Sequence, residues 1–99
     1  MDVVLLYVDG CPNWQLADER LRVALVRAGR TDVRVQRRRV ETPADAEAVG
    51  FRGSPTVLVD GRDVFADPDA PVGLSCRVFP SAAGLAGAPT VEQLLAVLR

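Results

Sequence analysis

Residues 3–14 read VVLLYVDGCPNW, and the reading of this stretch decides the fold. Residues 3–8 form an unbroken run of β-branched and aliphatic side chains with one Tyr. That is the pattern of a strand covered on both faces, not the alternation of a half-exposed one. Such a strand belongs in the middle of a sheet. Asp9-Gly10 interrupts the run, and beyond Cys11-Pro12 the period changes. Trp14, Ala17, Leu21, Ala24, Leu25 and Ala28 recur at three- and four-residue spacing, one face of a helix that Gly29 stops. Cys11 therefore stands at the junction of strand and helix, where it is expected to cap the helix with Pro12 at the first helical position.

Outward from this stretch, residues 32–40 (DVRVQRRRV) alternate, Val33 and Val35 on one face and Arg34, Gln36 and Arg38 on the other, as in a half-buried second strand. A strand, helix, strand unit of this size predicts a right-handed crossover between parallel strands. The cluster Arg34, Arg37, Arg38 and Arg39 then falls at a sheet edge, where charge guards against edge pairing. Thr42, Pro43 and Asp45 supply an N-cap, a first-turn proline and a capping-box acid for a short helix ending near Gly50. Gly53-Ser54-Pro55 leads into a third strand at residues 56–59 (TVLV). Asp60-Gly61 predicts a two-residue hairpin into a fourth, antiparallel strand at residues 62–65. Residues 66–89, ADPDAPVGLSCRVFPSAAGLAGAP, show no sustained period and read as a long loop. Thr90 and Gln93 form a second capping box, before a final helix with Val91, Leu94, Leu95 and Leu98 as its apolar stripe. With no internal repeat and no linker, residues 1–99 are expected to form one α/β domain around a mixed four-stranded sheet.

Hydrophobic residues make up 48% of the 99 and charged residues 25%, which suits a chain that folds by itself. The formal charge of −1 supplies no field to gather nucleic acid or an anionic membrane, so neither is an expected partner. All 12 basic residues are Arg, a bias that reads as codon usage. There is no His, which removes the usual general base and the commonest metal ligand and excludes histidine-dependent hydrolysis. No cofactor and no resident metal are expected. The opening run shows no charged leader, and no apolar stretch approaches the roughly 20 residues of a membrane span, so a cytoplasmic monomer with reduced cysteines is expected.

The element order resembles the thioredoxin fold, a βαβαββα three-layer sandwich, at three places. Cys11 stands where thioredoxin-like proteins put their attacking cysteine. Gly53-Ser54-Pro55-Thr56 stands where they carry a cis-proline facing it, and the Asp60-Gly61 hairpin comes next at the expected distance. The resemblance implies a cis bond between Ser54 and Pro55, and a substrate groove shaped by Pro12, Trp14, Ser54, Pro55 and Thr56. A cysteine at a helix N-terminus suits such chemistry, because free amide hydrogens and the helix dipole stabilise a thiolate. Trp14 occupies the fourth position of the CxxC motif, so the family's resolving cysteine is missing there.

Strand directions put the loop after the fourth strand on the cysteine side of the sheet, which allows Cys76 to reach Cys11. Its neighbour Arg77 would then tune the thiol or pair with an anionic substrate. Three readings stay open: a thiol-disulfide oxidoreductase using Cys11 with Cys76, a module that binds a small thiol or soft metal ion, and a scaffold without chemistry. The segments LLYVDGCPNW, GFRGSPTVLVDG and VGLSCRVF together are similar to small bacterial thioredoxin-family proteins often labelled alkylmercury lyase. The lyase reaction needs two thiolates and an acid. Trp14 and Phe79 stand three residues after the two cysteines, where that family's signature has its acid, which leaves Asp67 or Asp69 to supply one.

Overall fold

The computed structural model describes residues 1–66, 71–81 and 84–99. Strand β1 (Val3–Tyr7) runs through the middle of a four-stranded mixed sheet. On one side it pairs in parallel with β2 (Val35–Arg39), and on the other antiparallel with β3 (Thr56–Val59). β4 (Arg62–Asp63) closes the sheet antiparallel to β3, so the order is β2-β1-β3-β4.

The unbroken apolar run of β1 follows from burial on both faces. Val3 and Leu5 join Val57 and Val59 in a core with α1 (Trp14–Arg27) and α3 (Val91–Leu98), which pack together on this face. Val4, Leu6 and Val8 face the other way, with Leu58, onto Val40, Phe51 and Ala46 of α2 (Pro43–Val49). Leu5, Leu6, Leu21, Leu94 and Leu98 are fully buried, each worth about 1.5–3 kcal/mol over an exposed position. None of the described helices is long and apolar enough to cross a membrane.

The helix ends follow local chemistry. Thr42 caps α2 and Thr90 caps α3, each in a full capping box, with Asp45 and Gln93 returning the bond. Pro43 opens α2, and Gly50 closes it at φ +65°. Asp60 and Gly61 both have positive φ, as a tight two-residue β-hairpin of type I′ requires.

At four places the structure departs from the sequence reading. Helix α1 starts later than expected: Asn13 is its N-cap, and Pro12 precedes the helix. The cause is a turn over residues 8–11, with Gly10 at φ +82° and the Cys11 N–H donating to the Val8 carbonyl at 3.3 Å. The first helical acceptor is consequently the Asn13 carbonyl. Strand β2 begins only at Val35, because the Val33 N–H donates to the Arg30 carbonyl in a turn. Strand β4 stops at Asp63, whose carboxylate accepts from the Phe65 N–H and bends the chain out of the ladder. Within residues 66–89, β5 (Phe79–Ser81) pairs antiparallel with β6 (Gly84–Ala86), a two-stranded ribbon where a loop was expected.

Of the arginine cluster, Arg37, Arg38 and Arg39 lie on edge strand β2 and Arg34 just before it. Arg37 binds the buried Asp18 carboxylate of α1 through two hydrogen bonds of 3.1 and 2.9 Å, and Arg39 pairs with Asp9 and Glu41. Asp18 also takes Arg22 one turn on. Sequence reading missed this carboxylate, although its spacing to Leu21 and Leu25 sets it on the inner stripe of α1.

Candidate functional site

The site forms where the carboxyl end of β1 meets the amino end of β3. After β1 the turn at residues 8–11 drops Cys11 into the interior at 4% exposure, and its thiol donates to the Ser54 carbonyl at 3.6 Å. The Ser54–Pro55 peptide bond is cis, as expected from its position.

Ser54 is wholly buried, and all of its polar atoms are bonded to other segments of the chain. Its Oγ accepts from the Val8 N–H at 3.2 Å, tying it to the end of β1. Its N–H donates to the Ser75 carbonyl at 2.7 Å, and its carbonyl accepts from the Arg77 N–H at 2.9 Å. These last two bonds make a short parallel bridge between Ser54 and Cys76. One residue thus carries both cysteine segments: its carbonyl takes the Cys11 thiol, and its backbone pins the residues on either side of Cys76.

The bridge needs Gly53. Its φ is +119°, and a Cβ there would stand 3.0 Å from the Arg77 Cβ and 3.3 Å from the Ser75 carbonyl. Only a residue without a side chain lets the two backbones come this close.

Arg77 fixes the far side of the segment. It is 7% exposed, and its guanidinium donates to Asp63 at 2.8 Å, to the Thr56 hydroxyl at 3.2 Å and to the Phe65 carbonyl. It also lies over the Phe79 ring, 5.0 Å from the centroid. These bonds hold the guanidinium inside the protein, so Arg77, expected as a tuner of Cys76 or an anion ligand, serves as an anchor.

Cys76 is exposed, and like Cys11 it is a free thiol. Repulsion from the Cys11 sulfur as it ionises, then hydrogen bonding with it, and least of all burial push the Cys76 thiol above its ordinary value. The two cysteines, 65 positions apart in the sequence, are neighbours.

The other expected site residues divide. Pro55 and Thr56 are buried beside the pair, and the Thr56 hydroxyl donates to the Gly53 carbonyl at 2.6 Å, which makes it a support for the bend rather than a surface for substrate. Pro12 is exposed next to Cys11. Trp14 is half-buried and stacks on Tyr7 with ring centroids 4.3 Å apart, so it packs against the sheet. Asp9, just before the Cys11 turn, is exposed and paired with Arg39 at 2.7 Å. Asp67 and Asp69 lie outside the described residues. Sequence reading missed Gly53 and Asp63. The glycine before Ser54 was legible as a turn, but its closeness to residue 77 had no local trace.

Beside Cys76 opens a cleft of about 600 Å³. Its walls include Phe65, Pro71, Val78, Phe79 and Pro80 together with Cys76. Phe65 and Phe79 meet edge to face at 5.6 Å. No family model, curated protein or solved structure matches the chain.

Proposed function

We propose that this chain is a thioredoxin-like thiol-disulfide oxidoreductase in which Cys11 and Cys76 together take the part that a CxxC pair plays in that family. The reading draws on the strand order, on the cysteine after the central strand and on the cis-proline beside it. The observation that carries it is Ser54, whose carbonyl takes the Cys11 thiol while its backbone bridges to Cys76.

The exposures of the two sulfurs suggest their order of action, the reverse of the sequence expectation that Cys11 attacks. Cys76 is accessible and meets the substrate disulfide first, although its thiol ionises less readily than a free one. Its thiolate attacks one sulfur of R–S–S–R, forming Cys76–S–S–R and releasing RS⁻. The Cys11 sulfur then attacks the Cys76 sulfur, displacing the second RS⁻ and leaving a Cys11–Cys76 disulfide. The substrate gains two electrons and the protein loses two, and the released thiolates take up the protons lost by the cysteines. An external dithiol would return the protein to its starting state. In this scheme Ser54 and Pro55 are positioning residues.

The test is a non-reducing peptide map of the monomer after titration with oxidised glutathione. A Cys11–Cys76 cross-link is expected, with mixed disulfides in its place when either cysteine is Ser. Glutathione adducts without the cross-link in the native chain would overturn the dithiol scheme. A second reading, stoichiometric holding of a soft ion such as Hg(II) or Cu(I) between two thiolates, draws on the same juxtaposition. It predicts one tightly held ion per chain and no catalytic turnover of insulin or glutathione disulfides.

A further inference from the structure

Cys76 stands at one edge of the cleft, and the composition of the rest indicates what the cleft is suited to hold. Six of its lining residues are apolar: Phe65, Ala66, Pro71, Val78, Phe79 and Pro80. The polar groups that share it have partners inside the chain. Arg77 is held by Asp63 and the Phe65 carbonyl. Gln93 accepts from the Thr90 N–H at 2.9 Å and donates to the Pro80 carbonyl at 2.6 Å. Arg52 is likewise engaged. The cleft thus presents ring and aliphatic surface, while the Arg77 guanidinium and the Gln93 amide are bonded within the chain. Its aromatic wall is also built in advance, since Phe79 is wedged between the Phe65 ring and the Arg77 guanidinium. A volume of about 600 Å³ lies within the ~300–1,000 Å³ range of small-molecule sites.

We infer that the cleft is a substrate pocket for small, uncharged organic disulfides, above all those with aromatic or aliphatic groups, and that it presents their sulfur–sulfur bond to Cys76. The steps after the first attack rest on the oxidoreductase reading; the attack itself does not. The apolar half of the ligand lies against Phe65, Val78 and Pro80. The sulfur nearer the mouth accepts the Cys76 thiolate, and the other leaves as a thiolate that is protonated by water. A charged group in the same place would lose its hydration without gaining a partner, so charged disulfides are disfavoured.

The first step is measured on the full-length Cys11→Ser variant, in which Cys76 is the reacting thiol. The probes are 4,4′-dithiodipyridine, which is neutral and aromatic, dithiobis(2-nitrobenzoate), a dianion, and cystamine, a dication. Each rate is divided by that of free 2-mercaptoethanol with the same reagent, and methyl methanethiosulfonate, too small to need a pocket, reports the thiolate's own reactivity. The neutral aromatic probe is expected to gain about tenfold over both charged ones, the factor that burial of a small ring gives. Val78 is exposed at the cleft wall, so Val78→Asp tests the pocket without touching the core. It should remove that gain relative to methyl methanethiosulfonate and move the preference toward cystamine. Equal normalised rates for the three probes, or a preference untouched by Val78→Asp, would overturn the pocket. The unsubstituted chain separates this from the dithiol scheme. If it keeps the preference but stops at the Cys76 mixed disulfide, the oxidoreductase reading fails and the pocket stands. If it forms the Cys11–Cys76 disulfide with every probe equally well, the reverse holds.

Discussion

The two cysteines stand side by side, but the chain delivers them by different means. Cys11 arrives through its own covalent neighbourhood: β1 ends, a turn over residues 8–11 closes on the Val8 carbonyl, and helix α1 begins at Trp14. Cys76 arrives through contacts far away in sequence: the bridge to Ser54, the empty side of Gly53 and the Arg77 anchor on Asp63. The first is buried and set by local structure, the second exposed and set by docking. The contrast shows that a pair of reactive groups can have one rigid member and one whose position depends on a few removable interactions. Those interactions are the places to act on the pair without touching either sulfur.

The largest effect is expected from Arg77→Ala. It removes the cation from a mostly buried ion pair and leaves the Asp63 carboxylate, itself 17% exposed, without its partner. The loss of stability should be about 3 kcal/mol, read from denaturant unfolding. The comparison predicts more than lost stability: formation of the Cys11–Cys76 disulfide should slow even under conditions where the chain is folded. If the cross-link forms at the native rate, Cys76 is not held by its anchor and the contrast between the two cysteines collapses.

Gly53→Ala should come next, at about 1–3 kcal/mol, since alanine at φ +119° is strained. Its Cβ would also press on the Arg77 Cβ at 3.0 Å, so the segment around Cys76 must move outward. Alkylation of Cys76 by iodoacetamide should speed up while Cys11 stays protected. Equal changes at both thiols would mean that the two segments open together and that no division between a rigid and a docked cysteine exists.

The smallest effect concerns protons. The Cys11 charge and hydrogen bond hold the Cys76 thiol above its ordinary value, so the Cys76 alkylation profile should lie at higher pH than that of a free thiol. Cys11→Ser should bring it back down. The sign for stability comes from the same shift. The folded chain keeps this proton more tightly than the unfolded one, so the contribution is fully present below the ordinary thiol range and is lost as pH rises through the raised value. A Cys76 profile indifferent to Cys11→Ser would place the sulfurs too far apart to interact.

Much of the fold is legible along the chain because its causes are local. The run at residues 3–8, the capping boxes at Thr42 and Thr90, the stops at Gly29 and Gly50 and the Asp60-Gly61 turn each depend on residues within a few positions of one another. Strand directions then put residues 66–89 on the Cys11 side of the sheet, which makes the approach of Cys76 foreseeable. The start of α1 is not legible, because Cys11-Pro12 resembles a helix opening, whereas the hydrogen bond back to Val8 takes that residue for the preceding turn. The role of Arg77 is equally hidden, because a charged residue beside a cysteine suggests chemistry until its partners are known.

The sequence by itself determined the segments of the four-stranded sheet and of the three helices, though not the β5–β6 ribbon, and it determined that β1 is central and that Cys11 lies between one element and the next. Hydrogen bonding between near neighbours and the alternation of apolar side chains require only a few consecutive residues. Tertiary structure alone decided that Ser54 would hold both cysteine segments, that Arg77 would turn inward to Asp63, and that an apolar cleft would open beside Cys76. These depend on the approach of backbones that are 14 to 43 positions apart. A close approach of that kind is set by the packing of the whole sheet and its helices, and leaves no periodic mark on the chain.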